Sequence, residues 1–219
     1  MKRILYITLI FAAIMGTISF LGIDMKFSSL FYHKGINPEW IFSNNVLWQF
    51  FYKKGEYLPN LCGVTAGFIF ILGLLWRPLK RFRIKTAFVV FLLLIAPTLI
   101  VQTLKITWGR PRPVETTTFG GKYEFREFYN PNPKLFWSKK DGNSFPSGHA
   151  AIGFYMIFVS YLIRRRWVFG LGALYGVLMG MGRVIQGAHF LSDIVTSFFI
   201  VYITAEILDM LILHKEHRV

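Results

Sequence analysis

The chain has 219 residues, 54% of them hydrophobic and 18% aromatic, and 25 lysines and arginines against 11 acidic residues give a formal charge of +14. A composition this apolar excludes an ordinary water-soluble domain, and the length suits one compact unit spanning residues 1–219. The positive excess calls for anionic lipid headgroups or an anionic substrate; nucleic acid is disfavoured, because the basic residues sit in loops abutting apolar segments and not on a separate polar domain.

Six stretches read as membrane-crossing helices, which need about 20 residues each. They run from Ile4 to Ile23, Leu58 to Trp76, Thr86 to Leu104, Gly148 to Ile163, Trp167 to Met181 and Phe190 to Leu213. The fourth and fifth are short for a full crossing and need flanking polar residues to complete them. Lys2 and Arg3 give the first the start of a signal peptide, but its apolar run is too long and lacks a small-x-small cleavage site, so it reads as an uncleaved span. The expected architecture is an all-α, integral membrane six-helix bundle. Cys62 lies in an apolar run and reads as a buried, inert thiol.

Between the first two spans, Trp40, Trp48, Phe50, Phe51 and Tyr52 are mixed with polar residues. That mixture suits a helix at the membrane interface, anchoring the protein at headgroup level. If six helices alternate, Lys2 and Arg3, "RPLKRFRIK" (77–85), "RRR" (164–166) and "HKEHR" (214–218) fall on one side, which is expected to be the cytoplasm. The remaining basic residues lie on the other side and need another explanation.

Three clusters on that outer side offer one. "KITWGRPRPVE" (105–115) holds Lys105, Arg110 and Arg112 on a loop stiffened by Pro111 and Pro113. "SFPSGHAAIGFYM" (144–156) starts an apolar helix with residues suited to an anion: Ser147 can cap the helix or donate its hydroxyl, Gly148 admits close approach, and His149 projects beside them. A Pro-Ser-Gly on its own is an ordinary helix start. "GRVIQGAHFLSD" (182–193) places His189 and Asp193 four residues apart, on one helical face, where the carboxylate can fix the tautomer of the imidazole. Arg183 precedes them. Three cations, a helix N-terminus and two histidines on one side of a membrane are equipment for phosphoryl transfer without a metal. A metal site is the weaker reading, since only Asp193 stands at ligand spacing from a histidine and the cations would repel the ion. No cofactor is implied.

Lys105 followed by Arg112-Pro113, then Pro146-Ser147-Gly148-His149, then Arg183 with His189 and Asp193, resembles the three-part signature of the type 2 phosphatidic acid phosphatase superfamily, which also includes vanadium haloperoxidases. The resemblance covers Lys105 to Asp193, extended to most of the chain by the six-span layout. It implies the corresponding helical fold and a set of roles. His189 would be the nucleophile forming a phosphohistidine, Asp193 its orienting group, and His149 the acid that protonates the leaving oxygen. Lys105, Arg112, Ser147, Gly148 and Arg183 would hold the phosphate. Gly182 stands where the superfamily usually has serine, which puts one phosphate hydrogen bond in question. Arg110 is outside the core motif and reads as a loop brace or a headgroup contact.

The substrate implied is a phosphorylated lipid of the outer leaflet. Lys122, Arg126, Lys134, Lys139 and Lys140, among Tyr123, Phe125, Phe128, Tyr129, Phe136 and Trp137, suit a large anionic headgroup. "WGRPRPVE" followed by such a loop is also similar to the lipid A phosphatases of Gram-negative bacteria, which implies removal of the 1- or 4′-phosphate at the bacterial inner membrane. Undecaprenyl diphosphate, phosphatidylglycerophosphate and transfer to a lipid acceptor are the alternatives; a lipid-binding subunit or a channel fits the clustered ionisable residues less well. Glu206 and Asp209, toward the far end of the last helix, read as salt-bridge partners of basic loops and not as part of the site.

Overall fold

The computed structural model describes residues 2–35, 39–134 and 141–214. The chain is mostly helical, and among the described residues five helical segments are long and apolar enough to cross a membrane. The first, α1 (Lys2–Phe20), ends at Gly22, whose φ of 61° turns the chain into the short α2 (Ile23–Ser29). Two-residue strands β1 (Tyr32–His33) and β2 (Glu39–Trp40) pair antiparallel. Asn45 then caps α3 (Val46–Lys53), its Oδ1 accepting the Leu47 and Trp48 amides at 3.0 and 3.4 Å. α3 does more than lie at an interface, because Phe51 is buried and its ring meets Tyr175 on α9 (Arg166–Ile185).

α4 (Tyr57–Leu75) returns across the bundle to a 3-10 turn at Arg77–Phe82. The next crossing is built from α5 (Arg83–Leu93), a π-helical stretch at Leu94–Ile100, and α6 (Val101–Trp108). Pro97 lacks an amide hydrogen and sits inside the stretch, where the widened turn accommodates its ring. Gly109, at φ 64°, stops α6 one turn beyond Lys105.

The helix expected at Gly148–Ile163 is present as α7 (Gly148–Phe154) and α8 (Phe158–Ile163), joined by a 3-10 turn. At about 1.5 Å per residue it is roughly 24 Å long, shorter than the five helices long enough to cross a membrane. The fifth stretch is longer than its apolar window suggests: α9 has 20 residues, because Arg166 begins it and a buried Arg183 is accommodated in its last turn. α10 (Leu191–Leu208) completes the set and continues to Leu213 as a π-helical turn.

The core lies where α7 is held between α9 and α10. Glycines permit this: a Cβ on Gly153 would lie 2.9 Å from the Gly176 Cα, so the two backbones are in direct apposition. At the far end of the bundle Arg3 pairs with Glu206 at 3.0 Å and Arg164 with Asp209 at 2.9 Å. Those are the partnerships expected for the two acids, although both carboxylates are more buried than an interfacial anchor requires.

Candidate active site

The ends of four helices meet at the other end of the bundle: the C-termini of α6 and α9 and the N-termini of α7 and α10. Lys105 lies in the last turn of α6, and its Nζ donates to the Asn143 carbonyl at 2.7 Å. Ser144 donates its amide to the Arg110 carbonyl at 3.0 Å, tying the two proline-containing loops together. A Cβ on Gly148 would lie 3.5 Å from both Lys105 Cε and Gln102 Nε2, so the first and second motifs are neighbours. Ser147 caps α7, accepting the Ala150 amide at 3.3 Å. Its carbonyl and that of Asp193 both accept from the Ser197 hydroxyl, at 2.9 and 2.7 Å, which fixes the starts of α7 and α10 to each other.

His189 is buried, with Nδ1 3.4 Å from Asp193 Oδ2, within ion-pair reach but without hydrogen-bond alignment. Burial pushes its imidazole down to about 4, opposed by Asp193 and reinforced by Lys105 and Arg112. The ring is therefore neutral near pH 7. His149, on the first turn of α7, has its Nε2 3.3 Å from Glu56 Oε2 at the entry to α4. Arg183 donates to the Tyr52 carbonyl at 2.6 Å and stacks over the Tyr52 ring at 4.1 Å. Arg112 is half-exposed, with its backbone amide on Glu115 at 2.9 Å and its buried Nε 4.0 Å from the Glu115 carboxylate, without a hydrogen bond among the described residues.

Arg110 acts as a brace, one of the two roles expected of it. It is wholly buried and joins two carboxylates: Nη1 donates to Asp193 Oδ1 at 2.6 Å and Nη2 to Asp24 Oδ2 at 2.7 Å. Asp24, on α2, also accepts the Ser192 amide at 2.8 Å and the Ser192 hydroxyl at 2.5 Å. Asp193 Oδ2 accepts the Phe190 amide at 2.8 Å and the Ser144 hydroxyl at 2.5 Å. The Asp193 carboxylate is thus held by three donors, counting the amide that starts its own helix. Two carboxylates around one guanidinium keep Arg110 charged against the opposing effect of burial.

Gly182 faces α3. A Cβ there would lie 3.3 Å from Phe51 Cβ and 3.4 Å from both the Trp48 carbonyl and the Tyr52 amide. The glycine stands against the helix whose Tyr52 carbonyl holds Arg183, where a side chain would be tightly packed. In the loop after Arg112, Lys122 and the Tyr123 hydroxyl both engage Asp141, at 2.9 and 2.7 Å, while Arg126 reaches Asn130 at 3.3 Å. Phe136, Trp137, Lys139 and Lys140 lie outside the described residues, as does the "KEHR" part of the last basic segment. Among the described residues, no three His, Cys, Asp or Glu side chains gather as a metal ion would require.

A family model described as the PAP2 superfamily matches residues 86–208. The lipid A 4′-phosphatase of Francisella tularensis subsp. novicida (strain U112) is 30% identical over 207 residues, covering 90% of this chain and 89% of the relative. That of Rhizobium leguminosarum is 29% identical over 197 residues, covering 81% and 82%. A third lipid A 4′-phosphatase, from Rhizobium etli, is 38% identical over 107 residues, covering 47% of this chain and 40% of the relative. No solved structure gives a significant match.

Proposed function

Because this chain belongs to the PAP2 superfamily, we propose that it removes a phosphate from lipid A, at the 4′-position, through a phosphohistidine and without a metal ion. The coarser premise is plain: it is an integral membrane lipid phosphatase. The reaction class is carried by one observation, a buried neutral imidazole beside a firmly held carboxylate, under the influence of Lys105 and Arg112. The position of the phosphate rests on the names and coverage of the relatives.

In the proposed cycle Asp193 faces Nδ1 of His189, leaving Nε2 as the nucleophile. Its lone pair attacks phosphorus as the bond from phosphorus to the sugar oxygen breaks. Lys105, Arg112 and Arg183, with the Gly148 amide, hold the negative charge spreading over the other phosphate oxygens. His149 gives its proton to the departing alkoxide. In the second half a water loses a proton to His149 and attacks phosphorus, the P–N bond breaks, inorganic phosphate leaves and both imidazoles return to their starting states. Ser147 accepts as a helix cap, which orients the Gly148 amide and leaves its hydroxyl hydrogen to donate to the phosphate.

The six-span bundle would place both termini in the cytoplasm of a bacterial inner membrane and this site on the periplasmic face. A groove of about 650 Å³ between α1, α6 and α10, lined in part by Leu104, Trp108, Phe128 and Phe145, gives an acyl chain an apolar surface beside the phosphate cradle.

The test is incubation of purified protein in detergent with bisphosphorylated lipid A and a chelator, followed by tandem mass spectrometry. Loss of the 4′-phosphate is expected; loss of the 1-phosphate, or release from an undecaprenyl diphosphate alone, would replace the substrate assignment. The pH profile tests the nucleophile separately. With burial as the main cause of its low affinity for protons, His189 is protonated and unable to attack only below about pH 4. The acid limb of kcat/KM assigned to it should therefore fall near pH 4, and a limb at the ordinary imidazole value of roughly 6.5 would contradict the buried-nucleophile reading.

A further inference from the structure

At the opposite end of the bundle from His189, a cleft of about 520 Å³ is lined by Arg3, Arg164, Arg165, Arg166, Tyr202 and Asp209, among others. Its charges do not balance. Arg3 is matched by Glu206 and Arg164 by Asp209, whereas Arg165 and Arg166 are exposed and make no ion pair among the described residues. A general preference for cations at one end of a membrane protein is satisfied by residues in open loops. Here four arginines share one concavity, and the chain reaches it through Arg164, the one non-glycine residue with a positive φ (54°) among those described. Arg165 and Arg166 also sit on the start of α9, which has no acidic residue in its first turn and no side-chain cap, so two positive charges adjoin the positive end of a helix dipole. That arrangement is self-repelling until an anion enters.

We propose that this cleft binds a phosphate-bearing anion, supplied by an anionic phospholipid headgroup of the leaflet opposite the active site. The depth supports a lipid: the neighbouring Trp167 is 67% exposed, as an aromatic at headgroup level would be, and Phe169 and Tyr202 line the cleft with apolar surface. Two unmatched arginines correspond to two phosphodiester charges or one phosphate monoester. At about 1 kcal/mol per basic residue near an anionic surface, removing both should weaken binding roughly thirtyfold.

The experiment compares wild type, Arg165→Gln/Arg166→Gln and Arg77→Gln/Lys80→Gln in nanodiscs of phosphatidylcholine with and without phosphatidylglycerol or cardiolipin, reading thermal stability and lipid retention in native mass spectrometry. The second double variant removes exposed basic residues from the turn after α4 without touching the cleft. Wild type should melt several degrees higher with anionic lipid. Arg165→Gln/Arg166→Gln should match wild type in phosphatidylcholine but lose most of that gain, while Arg77→Gln/Lys80→Gln keeps it. Retention of the full gain by Arg165→Gln/Arg166→Gln, or equal loss in both variants, would overturn the proposal, the latter showing diffuse surface charge. Millimolar inorganic phosphate in phosphatidylcholine alone should have no effect; a gain there that requires Arg165 and Arg166 would support the anion site and assign it a soluble ligand.

Discussion

His189→Ala is expected to lower phosphate release by roughly 10⁴–10⁶-fold, the scale on which enzymes lose turnover when a covalent nucleophile is removed. Among the described residues no other imidazole stands in for it: His149 faces Glu56, not a carboxylate held by several donors. A second readout separates loss of the nucleophile from loss of the fold. Wild type quenched during turnover of radiolabelled substrate should carry acid-labile, alkali-stable phosphate, His189→Ala should carry none, and His149→Ala, slowed in both half-reactions, should gain label slowly and lose it slowly. Turnover by folded His189→Ala within tenfold of wild type would eliminate the phosphohistidine route.

Arg110→Gln is expected to be nearly as damaging for a different reason. It strands Asp24 and Asp193 as buried carboxylates without their shared cation. Breaking a buried ion pair from one side costs about 3–5 kcal/mol, because the desolvated partner is left uncompensated. Adding Asp24→Asn should restore part of that stability by removing one of the stranded charges, yet leave turnover low, since Asp193 still lacks a donor on Oδ1. A double-mutant cycle on thermal stability measures the coupling. Equal stability of Arg110→Gln and wild type would show that the guanidinium does not hold the pair together.

The motif residues were legible in the sequence because their chemistry is local. His189 and Asp193 are one helical turn apart, and Ser147, Gly148 and His149 are consecutive at a helix start; the structure brings both groups together with Lys105. The long-range contacts that brace them were not legible. Arg110 meets partners 83 and 86 residues away. Asp24 gives no local sign of its role, since a lone acid after a hydrophobic span reads as the start of a solvated loop. Tyr52, Glu56 and Ser144 are hidden in the same way. A signal did exist for Arg110: beside the motif and just before Pro111, it reads as a loop brace, though without a named partner. The spans were readable from hydropathy, but helix ends carrying arginine or glycine, as in α9 and α6, fell outside the apolar windows.

The apposition of Gly153 and Gly176 carries the demands of the chemistry into the hydrocarbon. His149 begins the helix that Gly153 continues, about 6 Å further along its axis. A methyl group on Gly153 would meet the Gly176 Cα and the Met179 sulfur at 2.9 and 2.8 Å, pushing two helix backbones apart while touching neither histidine. Such a change acts as a wedge on the distance between His189 and His149. A mutational scan scored by activity alone would therefore class two featureless glycines in mid-membrane with the catalytic residues, and expression level would be the measurement that tells the two kinds apart.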